Sequence, residues 1–174
     1  MKNVMNQLNI FNQSTSQNPE CKTLIEAHWK LYVDGASRNN PGPSGAGVYI
    51  SQDGAPIVTE GYFLGTKTNN QAEYYALLLG LFHLQQLICS PDTVLIISDS
   101  QLLIRQLQKS YKVKHEGLKK LHNAAMEILK TMNAEVMHVL REENKKADAL
   151  ANKGIESKKQ VPQEFFTWLQ QYGA

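Results

Sequence analysis

A short apolar run at residues 93–97 constrains the fold of this chain more than any other segment. The run is too short for a helix, is bounded by Pro91 and Ser98, and is typical of a strand buried on both faces of a sheet. Such a strand needs helices as cover. Apolar residues at helical spacing over 71–88 supply one helix directly before it, so the sequence predicts an α/β fold.

The other segments extend this pattern to the order βββαβααβα. Strand-forming residue types alternate before a cluster of turn formers at 39–45, and Asp53-Gly54 is a hairpin signal between two further strands. The strands on either side of the first helix can lie parallel. We therefore expect a five-stranded mixed sheet, three antiparallel strands and then two parallel ones, flanked by helices. The predicted strands are 29–34, 46–51, 56–64, 93–97 and 134–140, and the predicted helices are 71–88, 100–109, 116–132 and 144–155.

The chain's 174 residues correspond to one domain with additions at both ends. Residues 1–27 are rich in Asn and Gln without a sustained period, which predicts a flexible extension. The main domain is expected over 28–156. Residues 157–174 are expected to form a linker and a short helix, whose apolar side chains favour docking on the core over binding a partner. Those side chains are Phe165, Phe166, Trp168 and Leu169.

Cysteine usage and hydropathy indicate a cytoplasmic protein. Cys21 and Cys89 are 68 residues apart and belong to no Cys/His cluster, so neither a disulfide framework nor a zinc site is predicted. Both thiols are most simply reduced, as in the cytosol. No apolar run approaches the roughly 18 residues that indicate a membrane span, and no secretory signal is visible. We expect no membrane partner.

Four acidic residues lie at the ends of predicted elements: Asp34, Glu73, Asp99 and Asp148. Three of them have simpler interpretations. Glu73 is spaced from Asn70 as in a capping box, Asp99 is placed to cap a helix, and Asp148 is placed to favour a positive helix end. Asp34 has no such use, because a carboxylate in an otherwise apolar strand must be paired, hydrogen-bonded or metal-bound.

A cluster of these carboxylates would have a specific chemistry. Neighbouring carboxylates repel one another and raise each other's pKa values. A divalent cation removes that cost, and all-oxygen ligands suit Mg²⁺ or Mn²⁺ better than zinc. Two such ions about 4 Å apart can hold the attacking and leaving oxygens of a phosphodiester. The four acids therefore predict a site for phosphodiester chemistry.

A short motif surrounds each acid. The first, Asp-Gly-Ala-Ser-Arg-Asn-Asn-Pro-Gly-Pro-Ser-Gly-Ala-Gly, starts at Asp34, and the second, Thr-Asn-Asn-Gln-Ala-Glu, ends at Glu73. Ser-Asp-Ser-Gln contains Asp99, and Asn-Lys-Lys-Ala-Asp-Ala-Leu-Ala contains Asp148. Together, over about residues 29–155, they resemble type 1 ribonuclease H. The resemblance implies a ribonuclease H-like fold and hydrolysis of the RNA strand of RNA–DNA hybrids to 5′-phosphate and 3′-hydroxyl products.

The resemblance also implies a role for each carboxylate. Asp34 would bridge two Mg²⁺ ions, with Mn²⁺ as the other candidate metal. Asp99 would help to hold the ion that activates water. Glu73 and Asp148 would hold the ion that stabilises the leaving 3′-oxygen.

Five polar residues would contact substrate by the same resemblance. Asn40, Asn69 and Gln101 would read 2′-hydroxyls and minor-groove edges, a task that suits amides because a 2′-hydroxyl both donates and accepts hydrogen bonds. Thr68 and Asn70 would line a pocket for a DNA phosphate. Asn40 and Asn69 are also typical turn residues, and Asn70 is a typical helix N-cap. No predicted turn offers a similar structural role for Gln101.

The loop before the fourth acid departs from the common family pattern. Many members carry a histidine there, and His138 lies ten residues before Asp148, which is the family's spacing. His138 shares its strand parity with Val136 and Leu140, however, which favours a strand side chain. Arg141 then occupies the loop, as in compact members that lack the histidine. Its permanently charged guanidinium would hold phosphate and would not shuttle a proton.

Charge is consistent with a nucleic-acid partner once it is counted by site. The net charge is only +2, which argues weakly against a nucleic-acid binder. Without the four candidate ligands, however, residues 29–154 hold 14 basic and eight acidic side chains, an excess of six positive charges. Five lysines either form a solvated face or replace the basic handle of other family members. They are Lys109, Lys112, Lys114, Lys119 and Lys120.

The expected partner is an RNA–DNA hybrid, bound by a monomer, and cleavage of double-stranded RNA stays open. Two other interpretations compete. One is a catalytically silent nucleic-acid-binding module, which the presence of all four carboxylates disfavours. The other is a different nuclease of the same superfamily, such as a transposase-like enzyme, which the absence of an added DNA-binding module disfavours.

Overall fold

A computed structural model describes residues 28–89 and 92–174. The predicted flexible extension, residues 1–27, lies outside the described residues. The strands are β1 (His28–Ser37), β2 (Gly42–Gln52), β3 (Ala55–Lys67), β4 (Thr93–Ser98) and β5 (Ala134–His138). The helices are α1 (Asn69–Leu84), α2 (Gln101–Leu107), α3 (Glu116–Leu129), α4 (Lys145–Ser157) and α5 (Gln163–Gln170), with a 3₁₀ turn at Arg141–Glu143.

The five strands form one mixed sheet in the order β3-β2-β1-β4-β5. β1 pairs antiparallel with β2, and β2 pairs antiparallel with β3. β4 is parallel to both β1 and β5. The prediction of three antiparallel strands followed by two parallel ones is confirmed.

The two faces of the sheet are covered to different extents. On one face, α1 packs on β1 and β2, with α3 beside it. On the opposite face, α4 packs on β1, β2 and β3. Side chains alternate along a strand. Leu31, which contacts α1, therefore faces away from Asp34, which lies opposite Gly47 under α4. The prediction that the strand at 93–97 is buried on both faces is only partly right, because Leu95 is half-buried where α4 does not reach.

The first hairpins differ from prediction in their lengths. Asp53 and Gly54 do form a tight hairpin, with positive φ angles of 48° and 88°, as an Asp-Gly signal predicts. β2, however, begins at Gly42, four residues earlier than expected. Gly42 and Gly45 were interpreted as turn formers, whereas both belong to β2, and Gly45 lies beneath the backbone of α4.

The terminal helix α5 docks on the core. Phe165 is fully buried and Leu169 is nearly so. The Phe82 ring of α1 lies edge-on to Phe165 and to Trp168, with ring centroids 5.8 and 5.4 Å apart. The docking interpretation agrees with the packing of Phe165, Trp168 and Leu169, whereas Phe166 is 40% exposed. In residues 28–89 and 92–174, no helix is long and apolar enough to cross a membrane.

Candidate active site

Asp34 lies near the end of β1 and is the most central of the four acids. Only 7% of the Asp34 surface is exposed to solvent. The pKa of Asp34 is raised from 3.8 to about 7, mainly by burial and then by the negative charges of Asp99 and Asp148, while the Arg141 charge acts in the opposite direction. These electrostatic contributions indicate that acids from three separate elements meet around β1.

Two glycines allow helices to approach Asp34 closely. Gly35 follows it in β1, and a Cβ there would lie 2.1 Å from the backbone nitrogen of Glu73. Gly47 lies directly opposite Asp34 on β2, and a Cβ there would lie 2.0 Å from the carbonyl oxygen of Ala147. Any larger residue would push the first turns of α1 and α4 away from the carboxylate.

Glu73 contacts the β1 backbone next to Asp34 and does not cap its helix. The N-cap of α1 is Thr68, which forms a capping box with Gln71. The capping interpretation of Glu73 is therefore wrong. Its residue is 6% exposed, and its Oε2 accepts a hydrogen bond of 3.1 Å from the Gly35 N–H. Burial and then the Asp34 charge raise the pKa of Glu73 well above its usual value.

Asp99 directly follows β4 and also caps no helix. The Ser100 side chain caps α2 by accepting from the Leu103 N–H. One oxygen of the Asp99 carboxylate, Oδ1, instead accepts a hydrogen bond of 2.6 Å from Nδ2 of Asn144. Sequence reasoning placed Asn144 only at the start of a helix and assigned it no part in the site.

Asp148 lies in the first turn of α4 and is paired with Arg141. The Arg141 guanidinium donates to Asp148 Oδ1 at 2.5 Å, and the two side chains are 74% and 28% exposed, respectively. The hydrogen bond and charge of Asp148 raise the pKa of Arg141. Arg141 is thus an internal counter-ion at the solvent side of the cluster.

The side chains of this cluster fit a hard divalent cation by their chemistry. All four candidate ligands are carboxylates, and their mutual repulsion around Asp34 is what a cation would relieve. In the described part of the chain, no three His, Cys, Asp or Glu side chains are already grouped as a metal site. Glu73 accepts from a backbone N–H, and Asp148 is paired with Arg141.

His138 is the last residue of β5, as strand parity predicted, although the strand ends there and not at residue 140. It pairs in register with Ser98. Its Nε2 lies 3.2 Å from the carbonyl oxygen of Asp99. The His138 imidazole therefore contacts the backbone at the end of β4. Arg141, in contrast, contacts the carboxylate of Asp148, a candidate metal ligand.

Three of the predicted substrate-binding residues share one cavity. This cavity of about 190 Å³ lies between the first turns of α1 and α3 and is lined by Asn40, Thr68, Asn70, His115 and Leu118. His115 was missed by sequence reasoning. Its Nδ1 accepts from the Gly117 N–H and caps α3. Its sequence neighbours, Lys114 and Glu116, give no local signal for a site.

The other two predicted substrate-binding residues lie apart from each other. The Asn69 N–H donates to Oδ1 of Asn40 at 2.9 Å, which attaches it to the rim of that cavity. Gln101 is the exposed first residue of α2, two positions after Asp99. Gln101 is therefore nearer in the chain to the acidic cluster than to the cavity.

Comparison with known proteins gives consistent matches. A family model described as reverse transcriptase-like matches residues 32–154. Ribonuclease HI of Halobacterium salinarum is 38% identical over 127 residues, covering 72% of this chain and 63% of that protein. Ribonuclease H of Coxiella burnetii is 33% identical over 141 residues, covering 72% of this chain and 88% of that protein.

Solved structures agree with these sequence matches. The crystal structure of RNase H1 from Halobacterium salinarum has a TM-score of 0.70 and 36% identity, covering 75% of this chain and 98% of that one. LC11-RNase H1, crystallised in complex with an RNA/DNA hybrid, has a TM-score of 0.69 and 35% identity. The match covers 74% of this chain and 97% of that one.

The fold and the acidic cluster define a ribonuclease H-like domain. With these matches, the chain belongs to the ribonuclease H family, and the matched residues 32–154 include all four acids. It spans less than two thirds of the length of the Halobacterium relative.

Proposed function

We propose that this protein is a metal-dependent endoribonuclease that hydrolyses the RNA strand of RNA–DNA hybrids to 5′-phosphate and 3′-hydroxyl products. One observation carries the proposal: carboxylates from β1, α1, the end of β4 and α4 influence one another around the buried Asp34. The hybrid-bound structure of a relative that is 35% identical supports the choice of substrate.

Asp34, Glu73, Asp99 and Asp148 would hold two Mg²⁺ ions, or Mn²⁺. When bound, such ions activate a water molecule and stabilise charge on the leaving oxygen. The chain's own contribution is to hold the carboxylates rigidly against the end of a sheet.

Arg141 would bind a phosphate oxygen at the solvent side of this cluster. Its guanidinium is mostly exposed and needs only to leave Asp148 to reach a substrate. Because arginine stays protonated near neutral pH, Arg141 would stabilise charge without transferring a proton.

The protein would select a hybrid by recognising its RNA strand and its DNA strand with different groups of residues. Amides of Asn40, Asn69 and Gln101 can both donate to and accept from the 2′-hydroxyls of the RNA strand. Thr68 and Asn70, which line the 190 Å³ cavity, would hold a phosphate of the DNA strand. We further propose that the protein acts as a monomer in the cytoplasm.

A cleavage panel tests the proposed function. End-labelled RNA–DNA, RNA–RNA, DNA–DNA and single-stranded RNA are incubated with Mg²⁺ or Mn²⁺, and product ends are mapped. We expect the RNA of the hybrid to be cut, and the RNA–RNA lane decides whether duplex RNA is also a substrate. Hybrid binding without cleavage would support a silent binding module, and cleavage of DNA–DNA would support another nuclease of the superfamily.

The lysine-rich segment between α2 and α3 supplies a second test. Lys112 and Lys114 are exposed in the loop before α3. If both contact phosphate, changing them to Gln lowers the slope of log affinity against log salt by about two, because each lost contact removes about one. Hybrid binding titrated over several salt concentrations measures this.

The matched control for the lysine test replaces Lys130 and Lys153, which are also exposed but lie on α3's C-terminal end and on α4. This pair should leave the slope unchanged. Equal slopes for both double variants and the unsubstituted protein would make Lys112 and Lys114 an ordinary solvated surface.

A further inference from the structure

Asn144 has an arrangement that helix formation does not explain. It occupies the N-cap position of α4 but makes no side-chain capping hydrogen bond, although such a bond is worth about 1 kcal/mol. Only 1% of the Asn144 surface is exposed to solvent. Its Nδ2 instead donates to the Val33 carbonyl of β1 at 2.9 Å and to Oδ1 of Asp99 at 2.6 Å.

The other end of this amide is buried without a partner. Oδ1 of Asn144 has no hydrogen-bond partner within residues 28–89 and 92–174, and leaving a buried acceptor unsatisfied costs roughly 1–3 kcal/mol. Reversing the amide would not help, because both groups that Nδ2 contacts are acceptors. The orientation is therefore fixed, and the oxygen is the end that needs a donor.

Two unfavourable features thus coincide at one residue beside an acidic cluster. An unused cap and an unsatisfied acceptor both reduce stability, so their combination indicates that the site needs this amide. The Asn144 amide also joins three parts of the site: the β1 backbone next to Asp34, the Asp99 carboxylate, and the first turn of α4.

We propose that Asn144 is a positioning residue: it holds Oδ1 of Asp99 so that Oδ2 is available to a divalent cation. The unpaired Oδ1 of Asn144 is the cost of that placement. This inference rests on the proposed function only in assuming that the cluster binds a cation.

Asn144→Ser separates positioning from capping. Serine is as good an N-cap as asparagine but is too short to reach Asp99, so the helix keeps its start while the contact is lost. Mn²⁺ and Mg²⁺ affinity is measured by calorimetry on the full chain without substrate. We expect affinity to fall by about 10- to 100-fold, as for other groups that orient metal ligands, with little change in the melting temperature in EDTA.

Asn133→Ser is the matched control, because Asn133 is exposed just before β5, and this variant should bind both cations normally. The inference is overturned if Asn144→Ser keeps its metal affinity, or if affinity falls only in step with a lower melting temperature in EDTA. Raising Mg²⁺ should restore much of the hybrid cleavage by Asn144→Ser. An unsubstituted protein that binds cations but cleaves no hybrid would contradict the proposed function and not this inference.

Discussion

Asp34→Asn should lower hybrid cleavage by about 10³-fold or more, because losing a shared metal ligand removes several kcal/mol of transition-state stabilisation. The charges of both Asp99 and Asp148 raise the pKa of Asp34. The amide is nearly the same size but carries no charge, so the loss reports chemistry and not packing. Single-turnover cleavage of a labelled hybrid at saturating Mg²⁺ measures the effect.

The same substitution should make the metal-free protein more stable. A carboxyl whose folded-state pKa is raised from 3.8 to about 7 gives stability that is complete below pH 3.8 and is lost as the pH rises to about 7. At neutral pH and above, Asn removes a destabilisation on the order of 3 kcal/mol. Melting in EDTA should therefore show a higher temperature for Asp34→Asn at pH 8 and a smaller difference at pH 4.

Asp53→Asn is the control for both measurements. Asp53 lies in the β2–β3 hairpin with a positive φ that Asn also tolerates, so the same chemical change is made far from the site. It should leave cleavage and the pH dependence of melting almost unchanged. Full cleavage by Asp34→Asn, or a lower melting temperature in EDTA at pH 8, would contradict the central placement of Asp34.

Much of the fold was predictable because its signals are local. The 93–97 run and the Asp53-Gly54 turn each depend on a few adjacent residues, and both were predicted correctly in type. Asp34 was also conspicuous, because an acid in an apolar strand has few uses. The incomplete burial of Leu95 in β4 was not predictable, since it depends on how far α4 extends across the sheet.

The unpredicted parts of the site depend on contacts between distant segments. Gly45 is interpreted locally as a turn former, and only the approach of the Ala151 carbonyl shows why a side chain is excluded. The sequence places Asn144 only at the start of a helix, because nothing in its neighbours indicates that Asp99, 45 positions earlier, accepts from it. His115 joins the Thr68 cavity only because the starts of α1 and α3 meet.

Arg141→Ala should lower the rate of hybrid cleavage by about 10- to 100-fold, because a charge-assisted hydrogen bond to phosphate is worth roughly 1.5–3 kcal/mol. The substitution should also tighten cation binding. Arg141 donates to Asp148 at 2.5 Å, so a cation that uses Asp148 must displace the guanidinium. Calorimetry with Mn²⁺ and a Mg²⁺ titration of the cleavage rate measure the two effects independently.

Opposite changes in catalysis and metal affinity are the distinguishing feature of this prediction. A residue that only supports the fold would weaken both, and a residue that only binds substrate would leave metal affinity unchanged. His138→Ala is the comparison, because His138 contacts the Asp99 backbone and no candidate ligand carboxylate. It should reduce stability slightly and leave the cleavage rate near that of the unsubstituted protein. A large loss of cleavage in His138→Ala, with Arg141→Ala unaffected, would reverse the assignment of the auxiliary group.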